Sequence, residues 1–168
     1  MDEGIVRFPD EFYYLGMKIN YLIDNGHVQQ AIDYLQQAIE RDPTKAQYYN
    51  VMGNLYSNIG KRIEAMRNYD KAIELEPQNA DFLVSKASSI YSEAKEMETA
   101  ALTTRDPKTA EMLNVTARAK FKEAVNYFHK ALELDENNSE ALQSLKGYYF
   151  KINDMKKYNE FDAKIKAL

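Results

Sequence analysis

Apolar and polar positions alternate along this chain with the period of an α-helix. Within residues 46–79, two apolar stripes recur at spacings of four and three, separated by Gly60. The stripes are Met52, Tyr56 and Ile59, and then Ala65, Tyr69 and Ala72. A glycine between them can adopt a positive φ and end the first helix in a sharp turn. The pattern therefore predicts two helices joined by a tight turn.

The same helix–turn–helix pattern returns every 34 residues. The residues that repeat at this distance are Gly26 and Gly60, Ala31 and Ala65, and Pro43 and Pro77. The prolines follow the second helix of each unit and stop it. One helix pair buries too little apolar surface to be stable alone, whereas stacked neighbours cover one another. The period thus predicts an all-α fold, an α-solenoid of antiparallel helix pairs.

Residues 46–79 also resemble the tetratricopeptide repeat (TPR). The resemblance rests on Tyr49, Met52 with Gly53, Tyr56, Gly60, Ala65, Tyr69, Ala72 and Pro77 at the TPR spacing. It implies a single TPR domain over residues 1–168, folded as a right-handed superhelix. In this register, repeats occupy 12–45, 46–79 and 80–138, residues 139–168 form a capping repeat, and residues 1–11 are the tail of an upstream repeat. The chain is then expected to be a fragment of a larger protein.

The last helix of the chain is expected to cap the stack. Tyr158, Phe161, Ile165 and Leu168 form one apolar stripe on an otherwise Lys-rich segment. Tyr158 and Ile165 stand where the resemblance implies small residues. A one-sided helix of this kind predicts a cap whose apolar stripe faces inward and whose lysines face water.

Residues 96–120 interrupt the period inside the third repeat. They are rich in Ala, Met, Leu and Glu, which favour helix, and the apolar spacing of both flanking helices continues into them. Asp106 suits a helix N-cap and Pro107 suits the first helical position. We therefore expect both helices of this pair to be longer by about three turns, with the tip of the hairpin near residues 103–108.

Two interpretations of this helical hairpin remain open. In the first, it is an elongation that packs on itself. In the second, it is an arm that contacts a partner or a second copy through Met97, Leu102, Met112 and Val115. The inserted segment contains no His and its acidic residues are scattered, which disfavours a metal-binding loop.

Composition narrows the function classes. The net charge of −4 argues against nucleic-acid binding, and no apolar run is long enough to span a bilayer. The lack of Cys excludes disulfides, thiol nucleophiles and thiolate metal sites. His27 and His129 are expected to be surface side chains, and neither a phosphate loop nor a hydrolase motif is readable. We therefore expect no catalytic, cofactor-binding or metal-binding residues, no cofactor and no enzyme activity.

The TPR resemblance implies a concave groove lined by the first helix of each repeat. The residues that would face a ligand include Tyr13, Asn20 and Asp24; Gln47, Asn50, Asn54 and Asn58; Asp81, Ser88 and Tyr91; and Gln143, Gly147, Phe150 and Lys151. A mostly neutral, amide-rich groove suits hydrogen bonding to an extended peptide. The alternative is that these residues are simply solvated surface.

The expected function is a non-enzymatic scaffold that binds a protein or peptide partner in this groove. The alternative is a structural self-association unit that forms a homo-oligomer through the hairpin. The elongated third repeat and residues 141–168 together resemble the C-terminal part of exported bacterial TPR proteins of unassigned function. This resemblance implies a periplasmic or cell-surface location, with the cytoplasm as the alternative.

Overall fold

The computed structural model describes the backbone of residues 12–168 and the side chains from Tyr14 onward. The predicted tail of an upstream repeat lies outside these residues. The described part contains eight α-helices and no strand, as the predicted all-α class requires. In chain order they are α1 (Phe12–Asp24), α2 (Val28–Arg41), α3 (Ala46–Asn58), α4 (Arg62–Leu75), α5 (Ala80–Thr103), α6 (Pro107–Leu134), α7 (Ser139–Lys151) and α8 (Met155–Lys166).

The helices belong to two compact units. The N-terminal unit ends at Leu75 and contains α1 to α4, and the C-terminal unit, Glu76–Leu168, contains α5 to α8. Within each unit, consecutive helices pack as antiparallel pairs. This is the helix-pair architecture that the 34-residue period predicts.

Three of the helix pairs share the same left-handed turn. Gly26 and Gly60 follow α1 and α3 with φ of 75° and 74°, and Asn153 follows α7 with φ of 58°. In the last of these turns, the N–H of Asp154 donates to the carbonyl of Tyr149 at 2.9 Å. Asn can replace glycine here because its short polar side chain tolerates the left-handed region better than other side chains do. The two predicted glycine turns are confirmed.

The N-terminal unit is built around apolar residues of α1, α2 and α3. Its buried cluster consists of Leu15, Ile19, Leu22, Ala31, Ile32, Leu35, Ile39, Tyr48, Met52 and Leu55. Helix α4 approaches α3 closely at Gly53, where an added Cβ would lie 2.7 Å from the ring of Tyr69. The hydroxyl of Tyr69 donates to Asn54 Oδ1 at 2.7 Å, which fixes the ring in this position. Glycine is therefore required at position 53 for this close packing.

The C-terminal unit contains the elongated helix pair that the sequence predicts. Helix α5 has 24 residues and α6 has 28, and the turn between them runs from Thr103 to Pro107. The Asp106 carboxylate accepts hydrogen bonds from the backbone N–H groups of Lys108 at 3.3 Å and Thr109 at 3.1 Å. Asp106 is thus the N-cap of α6 and Pro107 its first residue, so this part of the prediction is confirmed.

The apolar stripe of α8 is only partly buried. Phe161 is 3% exposed and is the one buried residue of the described helix α8. Tyr158 and Ile165 are half-buried, and Leu168 is exposed. The expectation that the whole stripe faces inward is wrong, because α7 covers one side of α8 and these residues lie on the flank of that contact.

Candidate functional site

Polar side chains join the first helices of the two pairs in the C-terminal unit. Asn138 Nδ2 donates to Asp81 Oδ1 at 3.1 Å, and Ser88 Oγ donates to Glu140 Oε1 at 2.6 Å. The partners lie 57 and 52 residues apart in the sequence. Two predicted groove residues, Asp81 and Ser88, therefore already have hydrogen-bond partners within the unit, and they help to set α5 against α7.

A third polar contact ties the inserted segment to the last helix pair. Lys151 at the end of α7 forms an ion pair with Glu98 of α5, and its Nζ lies 3.8 Å from the centroid of the Phe121 ring. An ammonium over an aromatic face is attracted by the ring quadrupole. The base of the hairpin is thus held against α7 by one lysine with two partners.

Tyr91, another predicted groove residue, belongs largely to the packing of the hairpin. Its ring meets Phe121 edge-on at 4.8 Å and Phe128 at 6.3 Å between centroids. Burial raises the pKa of the Tyr91 hydroxyl, and the neighbouring Glu98 and Tyr148 raise it further. The side chain is half-buried, so it can contribute an edge to a binding surface but not a whole ring.

A cleft lies between α7 and α8, and we call it the terminal cleft. It has a volume of about 480 Å³ and is lined by Gln143, Lys146, Gly147, Phe150, Tyr158 and Ile165. Phe150 is 63% exposed, and its ring centroid lies 5.6 Å from that of Tyr158. A Cβ added to Gly147 would meet nothing within 4 Å, so the floor of the cleft is open at this glycine.

One edge of the terminal cleft carries a net positive charge. Asp162 binds Lys146 Nζ at 2.6 Å through one carboxylate oxygen and Lys166 Nζ at 2.7 Å through the other. The hydrogen bonds from both lysines lower the pKa of the Asp162 carboxyl, and the same pairing raises the pKa of Lys146. Two ammonium groups thus share one carboxylate beside an apolar surface.

The N-terminal unit holds the remaining predicted groove residues. Asn20, Asp24, Asn54 and Asn58 are exposed, Gln47 and Asn50 are half-buried, and the side chain of Tyr13 lies outside the described part. Within the part of the chain that the structure describes, the buried Oδ1 of Asn50 has no hydrogen-bond partner. Asn54 differs from the other exposed residues because it accepts the hydroxyl of Tyr69.

The predicted contact residues of the hairpin divide into two groups. Leu102 is 87% exposed, Met112 is 63% exposed and Val115 is 54% exposed. Met97, by contrast, is half-buried and packs against Ala94 and its neighbours in the core of the hairpin. The hairpin therefore packs on itself through Met97 and presents the other three residues to solvent.

Sequence reasoning missed three residues of the terminal cleft: Lys146, Tyr158 and Ile165. The signal for two of them was present, because Tyr158 and Ile165 are bulky residues at positions where the other helix pairs carry alanine. In α4 the corresponding positions are Ala65 and Ala72, which are fully buried. The bulky pair widens the end of the last helix pair and forms one wall of the cleft.

The two histidines differ in their surroundings. His27 is exposed at the start of α2, as expected. The expectation of a surface side chain is wrong for His129, which is half-buried between helices with its Nε2 3.0 Å from the hydroxyl of Tyr149. Burial, followed by the nearby ammonium of Lys157, lowers the pKa of the His129 imidazole.

Residues 12–168 contain no group of three or more His, Cys, Asp or Glu side chains placed to hold a metal ion. None of the helices described here is both long and apolar enough to cross a membrane.

Antiparallel helix pairs, left-handed turns and small residues at close approaches define a helical-repeat protein of the α-solenoid class. The model of the tetratricopeptide repeat family matches residues 20–45 and 46–79. The chain therefore carries tetratricopeptide repeats, and its fold is that of TPR solenoids, as the resemblance implied.

Part of this sequence is similar to a bacterial protein. The chain is 33% identical over 101 residues to cellulose synthase operon protein C of Escherichia coli strain K12. The match covers 57% of this chain and 9% of that protein, so the chain spans about a tenth of the length of its relative.

Solved structures share the fold at low sequence identity. A monomeric mutant of IFIT1 bound to Gppp-AAAA superposes with a TM-score of 0.78 at 16% identity, covering 96% of this chain and 34% of that one. A MamA mutant superposes with a TM-score of 0.57 at 17% identity, covering 92% of this chain and 74% of that one. At such identities these similarities concern the fold alone.

Proposed function

We propose that this chain is a non-enzymatic interaction module that binds a segment of another protein, with the terminal cleft as its main contact surface. The observation that carries the proposal is the exposure of Phe150 beside the open floor at Gly147. A large aromatic side chain at the rim of an apolar cleft is typical of a binding surface. TPR solenoids are extended surfaces of this kind, and protein or peptide binding is their usual role.

The chemistry of the cleft indicates the chemistry of the partner. Phe150, Tyr158 and Ile165 offer contacts to a large apolar side chain. The shared carboxylate of Asp162 leaves an excess positive charge at the edge, which favours a carboxylate on the partner. The proposed partner segment therefore carries an apolar anchor next to Asp or Glu. The net charge of −4 makes nucleic acid a poor alternative.

The predicted groove residues have different proposed roles. Gln143 lines the terminal cleft and can hydrogen-bond a partner backbone. Asp81 and Ser88 act indirectly, since their contacts with Asn138 and Glu140 hold the helices that carry the binding surface. The exposed residues of the N-terminal unit supply further polar contacts where the partner segment reaches them.

A peptide selection with a blocking variant tests the proposal. Peptides selected from a displayed library on the wild-type chain are measured by calorimetry against Gly147→Leu, which adds a side chain to the cleft at a position where a Cβ meets nothing within 4 Å. Leucine favours helix over glycine, so the variant is expected to fold. We expect affinity to fall at least about tenfold, the effect of losing roughly 1.4 kcal/mol of binding free energy.

Gly16→Leu is the matched control. Gly16 also lies in a helix with nothing within 4 Å of an added Cβ, but it belongs to the N-terminal unit. We expect Gly16→Leu to bind the peptides as wild type does. Unchanged affinity in Gly147→Leu would overturn the assignment to the cleft, and loss of affinity in Gly16→Leu alone would move the site to the N-terminal unit.

Self-association through the hairpin is the second candidate function. The observation that favours it is the exposure of Leu102, Met112 and Val115 at the far end of α5 and the start of α6. Large apolar residues exposed on one helix pair are a surface that a second copy can cover. This role is compatible with ligand binding at the terminal cleft, which lies on other helices.

Light scattering of point variants tests this second role. Leu102→Lys and Met112→Lys change the patch without altering the helices, whereas deletion of residues 96–120 also removes Glu98 and its ion pair with Lys151. An oligomer in the wild type that becomes a monomer in the double variant supports self-association. A wild-type monomer at all concentrations tested contradicts it.

We also propose a periplasmic or cell-surface location for the natural protein. The support is the resemblance of residues 141–168 and the elongated pair to exported bacterial TPR proteins. Fractionation of cells that express the full-length natural protein tests this location. Recovery in the cytosol alone would refute it and favour the cytoplasmic alternative.

A further inference from the structure

The last helix is held at a contact that includes a titratable group. Phe161 of α8 stacks on Tyr149 of α7, with 5.5 Å between ring centroids and 5° between ring planes, and lies 5.9 Å from the ring of His129 of α6. The hydroxyl oxygen of Tyr149 lies 3.0 Å from His129 Nε2 and accepts a hydrogen bond from Lys157 Nζ at 3.1 Å. Side chains of three helices thus meet at one point.

The hydrogen bonds at this point favour a neutral imidazole. An ammonium group can only donate, so the oxygen of Tyr149 accepts from Lys157 and its hydrogen is free to be donated to an unprotonated His129 Nε2. If His129 is protonated, Nε2 becomes a donor and the hydroxyl hydrogen loses its acceptor. Two cations then share one hydroxyl oxygen in a partly buried site, which costs free energy.

Charges on the surrounding helices do not reverse this preference. Glu133, on the same helix as His129, and Glu160 of α8 favour the imidazolium, whereas Lys157 and Lys164 of α8 oppose it. Helix α7 contributes the uncharged Tyr149. Burial is the largest influence and also opposes the imidazolium, so the pKa of His129 is lowered.

We propose that His129 is a pH-sensitive latch that holds α8 when neutral and loosens it when protonated. The consequence for ligand binding rests on the proposed function, because Tyr158 and Ile165 of α8 form one wall of the terminal cleft. A partner that needs this wall binds the neutral form better. By linkage, a bound partner resists protonation of His129.

The direction of the pH effect follows from the lowered pKa. A detached α8 leaves His129 with an ordinary pKa of about 6.5, so the detached state takes up the proton first as pH falls. Attachment of α8 is therefore strongest above about pH 6.5 and weakens as pH falls from there towards the lowered pKa. Below the lowered pKa, His129 is protonated in both the attached and the detached state, so a further fall in pH does not weaken the attachment of α8 through this residue.

Hydrogen–deuterium exchange of α8 in matched variants tests the latch. Wild type, His129→Gln and His27→Gln are compared at the same pH, so that intrinsic exchange rates cancel. At about pH 5.5 we expect α8 of the wild type to exchange faster than α8 of His129→Gln, by up to about tenfold, the limit set by one pH unit below the ordinary pKa of about 6.5. At about pH 7.5 the two should exchange alike. His27→Gln should follow the wild type at both.

Two results would overturn the latch. The first is equal exchange of α8 in wild type and His129→Gln at both pH values. The second needs no variant: an NMR titration in which the pKa of His129 equals or exceeds the ordinary histidine value of about 6.5. If α8 responds to His129 but selected peptides bind at neither pH, the latch stands and the proposed binding function fails.

Discussion

The α3–α4 and α7–α8 pairs have the same architecture, but their two helices pack against each other differently. In the α3–α4 pair, α4 buries Ala65, Tyr69 and Ala72, and the ring of Tyr69 fills the space above Gly53. In the α7–α8 pair, α8 buries only Phe161 among its described residues, and the space above Gly147 is empty. The small residues of the first pair allow close approach, and the bulky residues of the second prevent it. The same two repeat positions thus carry small residues that allow close packing in one unit, Ala65 and Ala72, and bulky residues that line a cleft in the other, Tyr158 and Ile165.

The difference also separates two uses of glycine within a helix. At Gly53 a neighbouring ring occupies the space that a side chain would fill, so the glycine contributes to stability through close packing. At Gly147 no other atom occupies the space that a side chain would fill. The glycine therefore lowers helix stability by about 1 kcal/mol relative to alanine and leaves an accessible surface. A residue that lowers stability without a packing reason is consistent with a binding role.

The largest expected effect comes from removing the one buried anchor of α8. Phe161→Ala removes a stacked ring that is 3% exposed, and we expect a loss of about 3 kcal/mol or more in the free energy of unfolding of the C-terminal unit. Urea denaturation followed by circular dichroism measures it. Tyr158→Ala, on the half-buried flank of the same helix, should cost less than about 1 kcal/mol. Equal losses in the two variants would contradict the description of α8 as a helix held at one point.

A smaller effect is expected at the packed glycine. Gly53→Ala places a Cβ 2.7 Å from the ring of Tyr69, which Asn54 holds in place. We expect a loss of about 1–3 kcal/mol from overpacking, although alanine itself favours helix. Thermal unfolding measures the loss. A variant as stable as the wild type would mean that the ring can move away at little cost.

At Gly147, by contrast, we expect a substitution to increase the free energy of unfolding. Gly147→Ala meets nothing within 4 Å, so the helix propensity of alanine should raise the free energy of unfolding by about 0.5–1 kcal/mol. The same urea titration measures it. A loss of stability here would show that the cleft is filled in solution, and the contrast with Gly53 would not hold.

The smallest effect on stability is expected at the charged edge of the cleft. Lys166→Ala removes an exposed ion pair with Asp162, and we expect a change in the free energy of unfolding below about 0.5 kcal/mol. Affinity for acidic peptides should nevertheless fall, because the excess positive charge is lost. Calorimetry at low and high salt measures this fall. Lys156→Ala is the control on the same helix, and an equal loss of affinity there would indicate general rather than local attraction.

Much of the fold could be predicted from local pattern. Gly26 and Gly60 mark turns because the left-handed conformation they adopt excludes most other residues, and this constraint is visible in a few residues of sequence. Asp106 and Pro107 mark the start of α6 for an equally local reason. The elongated pair follows from apolar spacing that continues through the inserted segment. The turn at Asn153 was harder to predict, since asparagine tolerates the left-handed region without requiring it.

The candidate site was less predictable. The residues of the predicted groove lie in the first helices of their pairs, but the side chains of Asp81 and Ser88 are engaged by partners 57 and 52 residues away. Lys157, Glu160 and Lys164 are near His129 only because α8 lies beside it. Neither set of contacts can be predicted from residues within one helical turn, because the partners lie on separate helices.

The sequence by itself determined the helices, their turns, their 34-residue period and the length of the hairpin, because each depends on spacings and conformational preferences within a few residues. Only the tertiary structure decided which polar residues pair with each other, that His129 is enclosed by three helices, and that the end of the last pair stays open. These features depend on how far neighbouring helices can approach. That distance is set by the combined sizes of side chains from separate parts of the chain, such as Gly147, Tyr158 and Ile165.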